Sequence, residues 1–154
     1  MKEKALNEMK LTLPSLSANE GIARAVSGIF LSQLNPTLEE IADVKCAVSE
    51  AVTNCIVHGY RDSFGDIHIS MKILPDRVFK IEIRDKGVGI SDIPAAMEPL
   101  FTTDAENERS GMGFSIMESF MDSVTVKSSP GKGCKVIMAK KLSPIRHIKN
   151  TPLS

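Results

Sequence analysis

The chain has no excess of charge of either sign: 19 Lys and Arg stand against 19 Asp and Glu in 154 residues. A nucleic-acid or anionic-membrane surface needs a basic footprint, so neither is expected as a direct partner. No apolar run is long enough to span a bilayer, and no leader-like segment is seen, which sets a cytoplasmic protein as the expectation. Cysteine is scarce. Cys46, Cys55 and Cys134 are odd in number and lack metal-ligand spacing, so they read as reduced, packed thiols rather than a disulfide frame or a metal cluster. No internal repeat or low-complexity tract occurs, so one domain over residues 1–142 is expected, with a polar tail over 143–154 that holds two prolines. The phosphate-loop pattern G-x-x-x-x-G-K-[ST] is also missing, which excludes the commonest nucleotide pocket.

What is present is a clear order of elements. Met9 to Leu13 alternates apolar and polar residues and reads as a strand. Ser17 with Glu20 has the form of a helix-opening capping box, and Ile22, Val26, Ile29 and Phe30 are the expected buried face of that first helix. Thr37 with Glu40 opens a second helix whose stripe is Ile41, Val44, Val48, Val52 and Cys55, with Gly59 as its expected C-cap. Ile67–Leu74 and Val78–Arg84 alternate as a hairpin around Pro75-Asp76. Residues 91–110 carry little periodicity and read as a lid. A short helix over Met112–Met121 and two strands, Ser123–Ser128 and Cys134–Lys140, complete the order β-α-α-β-β-lid-α-β-β. That order predicts an α+β fold, a two-layer α/β sandwich with a mixed, mostly antiparallel sheet and helices on one face.

Three short motifs stand on this frame. In Glu50-Ala51-Val52-Thr53-Asn54, Glu50, Asn54 and His58 fall at i, i+4 and i+8 and share a helix face. A carboxamide oxygen at Asn54 suits Mg²⁺ already holding phosphate oxygens, and Glu50 is placed to take a proton from a hydroxyl or water. Asp85-Lys86-Gly87-Val88-Gly89 follows a strand; its carboxylate can accept from an exocyclic amine such as that of adenine, while Gly87 and Gly89 permit close backbone approach. Ser110-Gly111-Met112-Gly113 opens a helix, where free N–H groups suit phosphate. Taken singly, each has a plainer reading: a solvated helix face, an Asp-x-Gly turn and a glycine hinge. Taken in order, they describe an ATP pocket.

The same motifs, with His58-Gly59-Tyr60, Pro99-Leu-Phe-Thr-Thr103 and Glu108-Arg-Ser-Gly-Met-Gly-Phe114, resemble the GHKL ATPase superfamily and, within it, the sporulation anti-sigma-F factors. The resemblance spans roughly residues 9–141. It implies the ATP-binding sandwich often called the Bergerat fold, ATP or ADP with Mg²⁺ as cofactors, and an ATP-dependent protein serine/threonine kinase. Such a kinase inhibits a sporulation sigma factor of the sigma-F type and phosphorylates an anti-anti-sigma factor, and it acts as a homodimer. By resemblance Glu50 is the catalytic base and Asn54 the metal ligand. Asp85, Gly87 and Gly89 meet the adenine. Thr103, Ser110, Gly111, Met112 and Gly113 contact phosphate and lid, and Glu20 and Arg24 meet partner proteins. The family commonly has threonine where this chain has Cys134. A stress-response anti-sigma kinase and a nucleotide-dependent sequestering module without catalysis are the alternatives.

Overall fold

The computed structural model describes residues 4–90, Met97 and residues 113–145. Among them run β1 (Asn7–Pro14), α1 (Ala18–Leu31), α2 (Leu38–Asn54), β2 (Asp66–Leu74), β3 (Val78–Asp85), α3 (Gly113–Phe120), β4 (Ser123–Ser128) and β5 (Cys134–Lys141). The strands form one sheet in the order β1-β2-β3-β5-β4. Every neighbouring pair among the described residues is antiparallel, so there the sheet is antiparallel rather than mixed. The cause is the position of the last hairpin: β4 takes the outer edge, and β5 returns beside β3 running against it.

Period-2 patterning sets the two faces of the sheet. Ile67, Ile69, Met71 and Ile73 of β2, Phe79, Ile81 and Ile83 of β3, and Val136 and Met138 of β5 point into the core. The opposite face carries charged residues in loose cross-strand pairs, such as Lys135–Glu82 at 3.6 Å and Lys72–Glu8 at 3.9 Å. The helices cover the apolar face. Phe30 of α1 meets Phe79 of β3 with ring centroids 6.4 Å apart, tilted by 55°, a spacing that favours edge contacts between aromatic quadrupoles. Lys140 of β5 bridges to Asp43 of α2 at 3.4 Å and to the Phe120 carbonyl at 2.6 Å, tying the two layers together at the end of α3.

α2 begins as its sequence predicts. The Thr37 hydroxyl accepts from the Glu40 N–H at 3.1 Å, and the Thr37 N–H donates back to the Glu40 carboxylate at 2.9 Å. α1 departs from expectation twice. Ser17 makes no side-chain cap, because its backbone is already helical (φ −57°, ψ −30°) and its hydroxyl is not presented to the first turn. The buried face is Ala23, Ser27, Phe30 and Leu31, whereas Ile22 and Ile29 are 47% and 71% exposed. Small Ala23 and Ser27 let α1 lie close along α2, and this turns the two isoleucines outward. Cys46 is exposed as well, so it is not a packed thiol.

At its C-terminal end α2 does not stop at a glycine cap. It widens into a π-turn over Cys55–Gly59. Gly59 is buried in that turn, and the extra residue per turn takes His58 off the straight α-helical face shared by Glu50 and Asn54.

Candidate nucleotide site

The inward register of β3 runs Phe79, Ile81, Ile83, Asp85. The fourth member is a carboxylate in a core position, only 3% exposed. A buried carboxylate must be hydrogen-bonded or it is severely destabilising. Asp85 Oδ1 accepts from the Gly87 N–H at 2.9 Å, and the Cys55 thiol and the Cys134 backbone lie on the side of the carboxylate where they favour its charged form. Burial pushes its pKa above the ordinary carboxylate value, against the downward pull of those groups.

Both flanking thiols respond in the same direction. Burial and the adjoining Asp85 charge push Cys55 well up and Cys134 up to about 11. They stay protonated near neutrality, and a protonated thiol can donate.

The loop after Asp85 is held from three sides. The Val88 N–H donates to the Gly59 carbonyl at 2.9 Å. A side chain on Gly87 would collide with that same carbonyl, so glycine is required by close approach. The Tyr60 hydroxyl accepts from the Lys86 N–H at 2.7 Å and donates to the Asp66 carbonyl at 2.7 Å, clamping the end of β3 to the start of β2. The β4–β5 turn closes the third side: the Gly131 N–H donates to the Val88 carbonyl at 2.7 Å, and the Ile90 N–H to the Ser128 hydroxyl at 2.8 Å. Gly89, at φ +78°, takes the left-handed bend this docking needs. Sequence analysis places Tyr60 only in a matching stretch, because its role arises from contacts remote in sequence.

The other half of the site lies on the opposite side of the same helix end. Gly113 opens α3 where a Cβ, were there one, would lie 3.2 Å from Asn54 Nδ2, 3.3 Å from Asn54 Oδ1 and 3.5 Å from Glu50 Oε2. The third motif is thereby brought against the first. Asn54 and Cys55, adjacent in sequence, diverge by about 100° around a helix axis. One faces the start of α3, the other the end of β3. The last turn of α2 therefore lies between a buried carboxylate on one side and a pair of polar side chains beside the start of α3 on the other.

Thr103, Ser110, Gly111 and Met112, and the lid over 91–110 apart from Met97, lie outside the described residues. Glu20 and Arg24 sit on α1. Their side chains pair at 3.2 Å and are 26% and 48% exposed, so Arg24 faces solvent as expected. Cys55 and Gly59 were not anticipated as parts of the site, since a π-turn has no local signature to find.

The model of the histidine kinase-like ATPase domain matches residues 13–140. The anti-sigma F factor of Thermoanaerobacter sp. strain X514 is 54% identical over 134 residues, covering 87% of this chain and 93% of that protein. Those of Clostridium acetobutylicum (52% over 139 residues; 90% and 96% covered) and Bacillus subtilis strain 168 (48% over 145 residues; 94% and 99% covered) are similar throughout. Among solved structures, the RsbU and RsbW domains of Rv1364c from Mycobacterium tuberculosis share the fold, with a TM-score of 0.67 at 19% identity over 93% of this chain and 35% of that longer one.

Proposed function

From the premise that this chain belongs to the histidine kinase-like ATPase family, and within it to the anti-sigma F factors, we propose that it is a cytoplasmic, nucleotide-controlled serine kinase that inhibits a sporulation sigma factor and phosphorylates the matching anti-anti-sigma factor. The observation that carries the catalytic part is the approach of Gly113 to Asn54 and Glu50. It brings the glycine motif expected of a phosphate site against a carboxamide and a carboxylate one helical turn apart.

Mg·ATP supplies the phosphoryl group, and the residues present fit it. The buried Asp85 carboxylate accepts from the adenine amine. Gly87 and Gly89 keep the loop low enough for a flat base. The Asn54 carboxamide oxygen would hold Mg²⁺, as a hard oxygen donor of the kind that ion takes alongside phosphate oxygens. Glu50 takes the proton from the serine hydroxyl of the partner protein, and the proton resides on its carboxylate. N–H groups at the start of α3 hold the phosphate charge, with Ser110, Gly111, Met112 and Thr103 assigned to the same task by their sequence motifs.

The exposed Glu20–Arg24 pair on α1 is the proposed contact for both the sigma factor and the anti-anti-sigma factor. β1 occupies one edge of the sheet, and a free edge seeks a partner, which supports a homodimer through the N-terminal strand. Incubating the protein with γ-labelled ATP, Mg²⁺ and the candidate anti-anti-sigma factor tests the proposal: label transferred to a serine of that partner is the expected result. Tight sigma-factor binding with no transfer would favour a sequestering module instead.

A further inference from the structure

Three successive N–H groups after β3 are each directed at a different partner. The Lys86 N–H donates to the Tyr60 hydroxyl at 2.7 Å, the Gly87 N–H to Asp85 Oδ1 at 2.9 Å, and the Val88 N–H to the Gly59 carbonyl at 2.9 Å. The middle bond reaches the carboxylate expected to read the base. The outer two fix the peptide planes on either side of it, and their acceptors belong to adjacent residues, Gly59 and Tyr60. A carboxylate reads an amine only while its oxygens keep one orientation, and the terminal torsion of aspartate is otherwise broad and roughly two-fold. The Gly87 N–H sets that orientation. Gly59 and Tyr60 set the Gly87 N–H.

Of these two anchors, Tyr60 is the one made by a side chain, and that side chain is itself fixed. Its backbone N–H donates to the Cys55 carbonyl at 2.9 Å and so closes the π-turn. Its ring is buried. Its hydroxyl proton goes to the Asp66 carbonyl at 2.7 Å, at the first residue of β2. Gly65 lies against the ring, where a Cβ would overlap it and stand 2.9 Å from the hydroxyl oxygen. Gly65 is tied in turn to Ser15, whose N–H donates to the Gly65 carbonyl at 2.8 Å and whose hydroxyl accepts from the Gly65 N–H at 3.1 Å. With its one proton spent on Asp66, the phenol oxygen meets Lys86 as an acceptor in a set position. What the hydroxyl adds to the packed ring is a link from the start of β2 to the loop after β3.

We infer that Tyr60 is a positioning residue for base recognition: its hydroxyl holds the Lys86 N–H so that the next N–H, that of Gly87, keeps the Asp85 carboxylate in the orientation that selects a 6-amino purine over a 6-oxo purine. This rests on the reading of Asp85 as the adenine contact. The bonds lie within the protein itself, so their benefit to binding is preorganisation: a loop already fixed loses little freedom when the base docks. Tyr60 acts through the loop and not on the ligand.

ADP and IDP share sugar and phosphates and differ only on one edge of the purine, so the ratio of their dissociation constants reads the base contact. Calorimetric titration of both, with Mg²⁺, compares the wild-type protein with Tyr60→Phe, Thr37→Ala, Asp85→Ala and the Tyr60→Phe/Asp85→Ala double variant. Tyr60→Phe keeps the ring and removes the hydroxyl. It should lower the ADP-over-IDP preference by about threefold to tenfold, the size expected for one hydrogen bond. Thr37→Ala removes the cap at the far end of α2; it should lower the melting temperature and leave the preference unchanged. With no carboxylate left to orient, Tyr60→Phe should change nothing further in the Asp85→Ala background. Full preference in Tyr60→Phe, an equal loss in Thr37→Ala, or a further loss in the double variant would overturn the assignment. Amide exchange on the wild-type protein tests it without a substitution that could impair folding: the Lys86 N–H should be protected before nucleotide is added, and exchange at the rate of an open loop would also overturn it. Equal affinity of the wild-type protein for ADP and IDP, or full preference in Asp85→Ala, would instead strike at the reading of Asp85, and the role of Tyr60 would fall with it.

Discussion

Replacing Gly59 with alanine places a methyl carbon against the whole Asp85 carboxylate: 2.7 Å from Oδ2, 2.8 Å from Cγ and 3.0 Å from Oδ1. Carbon–oxygen contacts of that length are repulsive, and neither side yields easily. The carboxylate is held by the Gly87 N–H and is almost fully buried, and the π-turn is fixed by the Val88 N–H bond to the Gly59 carbonyl. Overpacking of a close-fitted interior costs about 1–3 kcal/mol. The gain from alanine over glycine in a helix, at most about 1 kcal/mol, offsets part of this. The net loss of stability should be about 1–2 kcal/mol, a shift in melting temperature of several degrees for a domain of this size. The functional effect should be larger. If Asp85 swings aside to relieve the clash, the bond to the base is lost, and a charged hydrogen bond is worth about tenfold or more in affinity. Adenosine, ADP and ATP should weaken together, because the lost contact is to the part they share. Circular dichroism melts and calorimetric titrations with the three ligands measure both effects. A variant that melts like the wild type and binds adenosine normally would show that the carboxylate has room the geometry denies it.

Other expectations follow from the same geometry. Glu50→Gln keeps shape and removes the proton acceptor, so phosphorylation of the partner should fall by about 10²–10⁴-fold while ATP binding persists in titration; an unchanged transfer rate would remove Glu50 from its role. Arg24→Ala takes away a forked donor on the exposed side of α1 and should weaken both the sigma factor and the anti-anti-sigma factor by about tenfold, with nucleotide affinity intact in parallel titrations; normal binding of both by surface plasmon resonance would move the docking surface elsewhere. Acidification should separate two carboxylates. Asp85 has a folded pKa raised above 3.8 by burial, so its charge costs the folded state stability above that pKa, a cost that disappears as pH falls through it. Adenosine affinity, which needs the charge, should be lost over the same window, above pH 3.8, and a titration that is flat there would contradict the assignment. Burial alone would raise Glu40, but the bonds from Thr37 and Ser143 outweigh it and lower its pKa below 4.5. Its contribution to stability is complete above 4.5 and is lost as pH falls through the lowered value, as urea melts of Glu40→Gln against wild type should register.

The α2 capping box and the alternating strands were legible because each is a local rule: a hydroxyl and a carboxylate three residues apart, or a side chain turned every second residue toward one side. Asp85 was legible through its Asp-x-Gly-x-Gly motif, while its place in the inward series Phe79, Ile81, Ile83 came from the structure, where β3 runs one residue past Arg84. The buried face of α1 was misread for the complementary reason. A 3.6-residue period fits an arc around Ile22 and Ile29 as readily as one around Ala23 and Ser27, and only the presence of α2 decides in favour of the small residues that let two helices lie close.

The sequence by itself determined the helices and strands, their order, and the identity of the groups proposed to bind a base, a metal and a phosphate, because those follow from side-chain chemistry and short spacing. The tertiary structure alone decided that Gly113 meets Asn54 and Glu50, that α2 ends in a π-turn turned toward Asp85, and that the β4–β5 turn braces the loop after β3. Each of these is a contact between segments far apart in the chain, fixed by close packing of a shared core rather than by any preference of the residues involved.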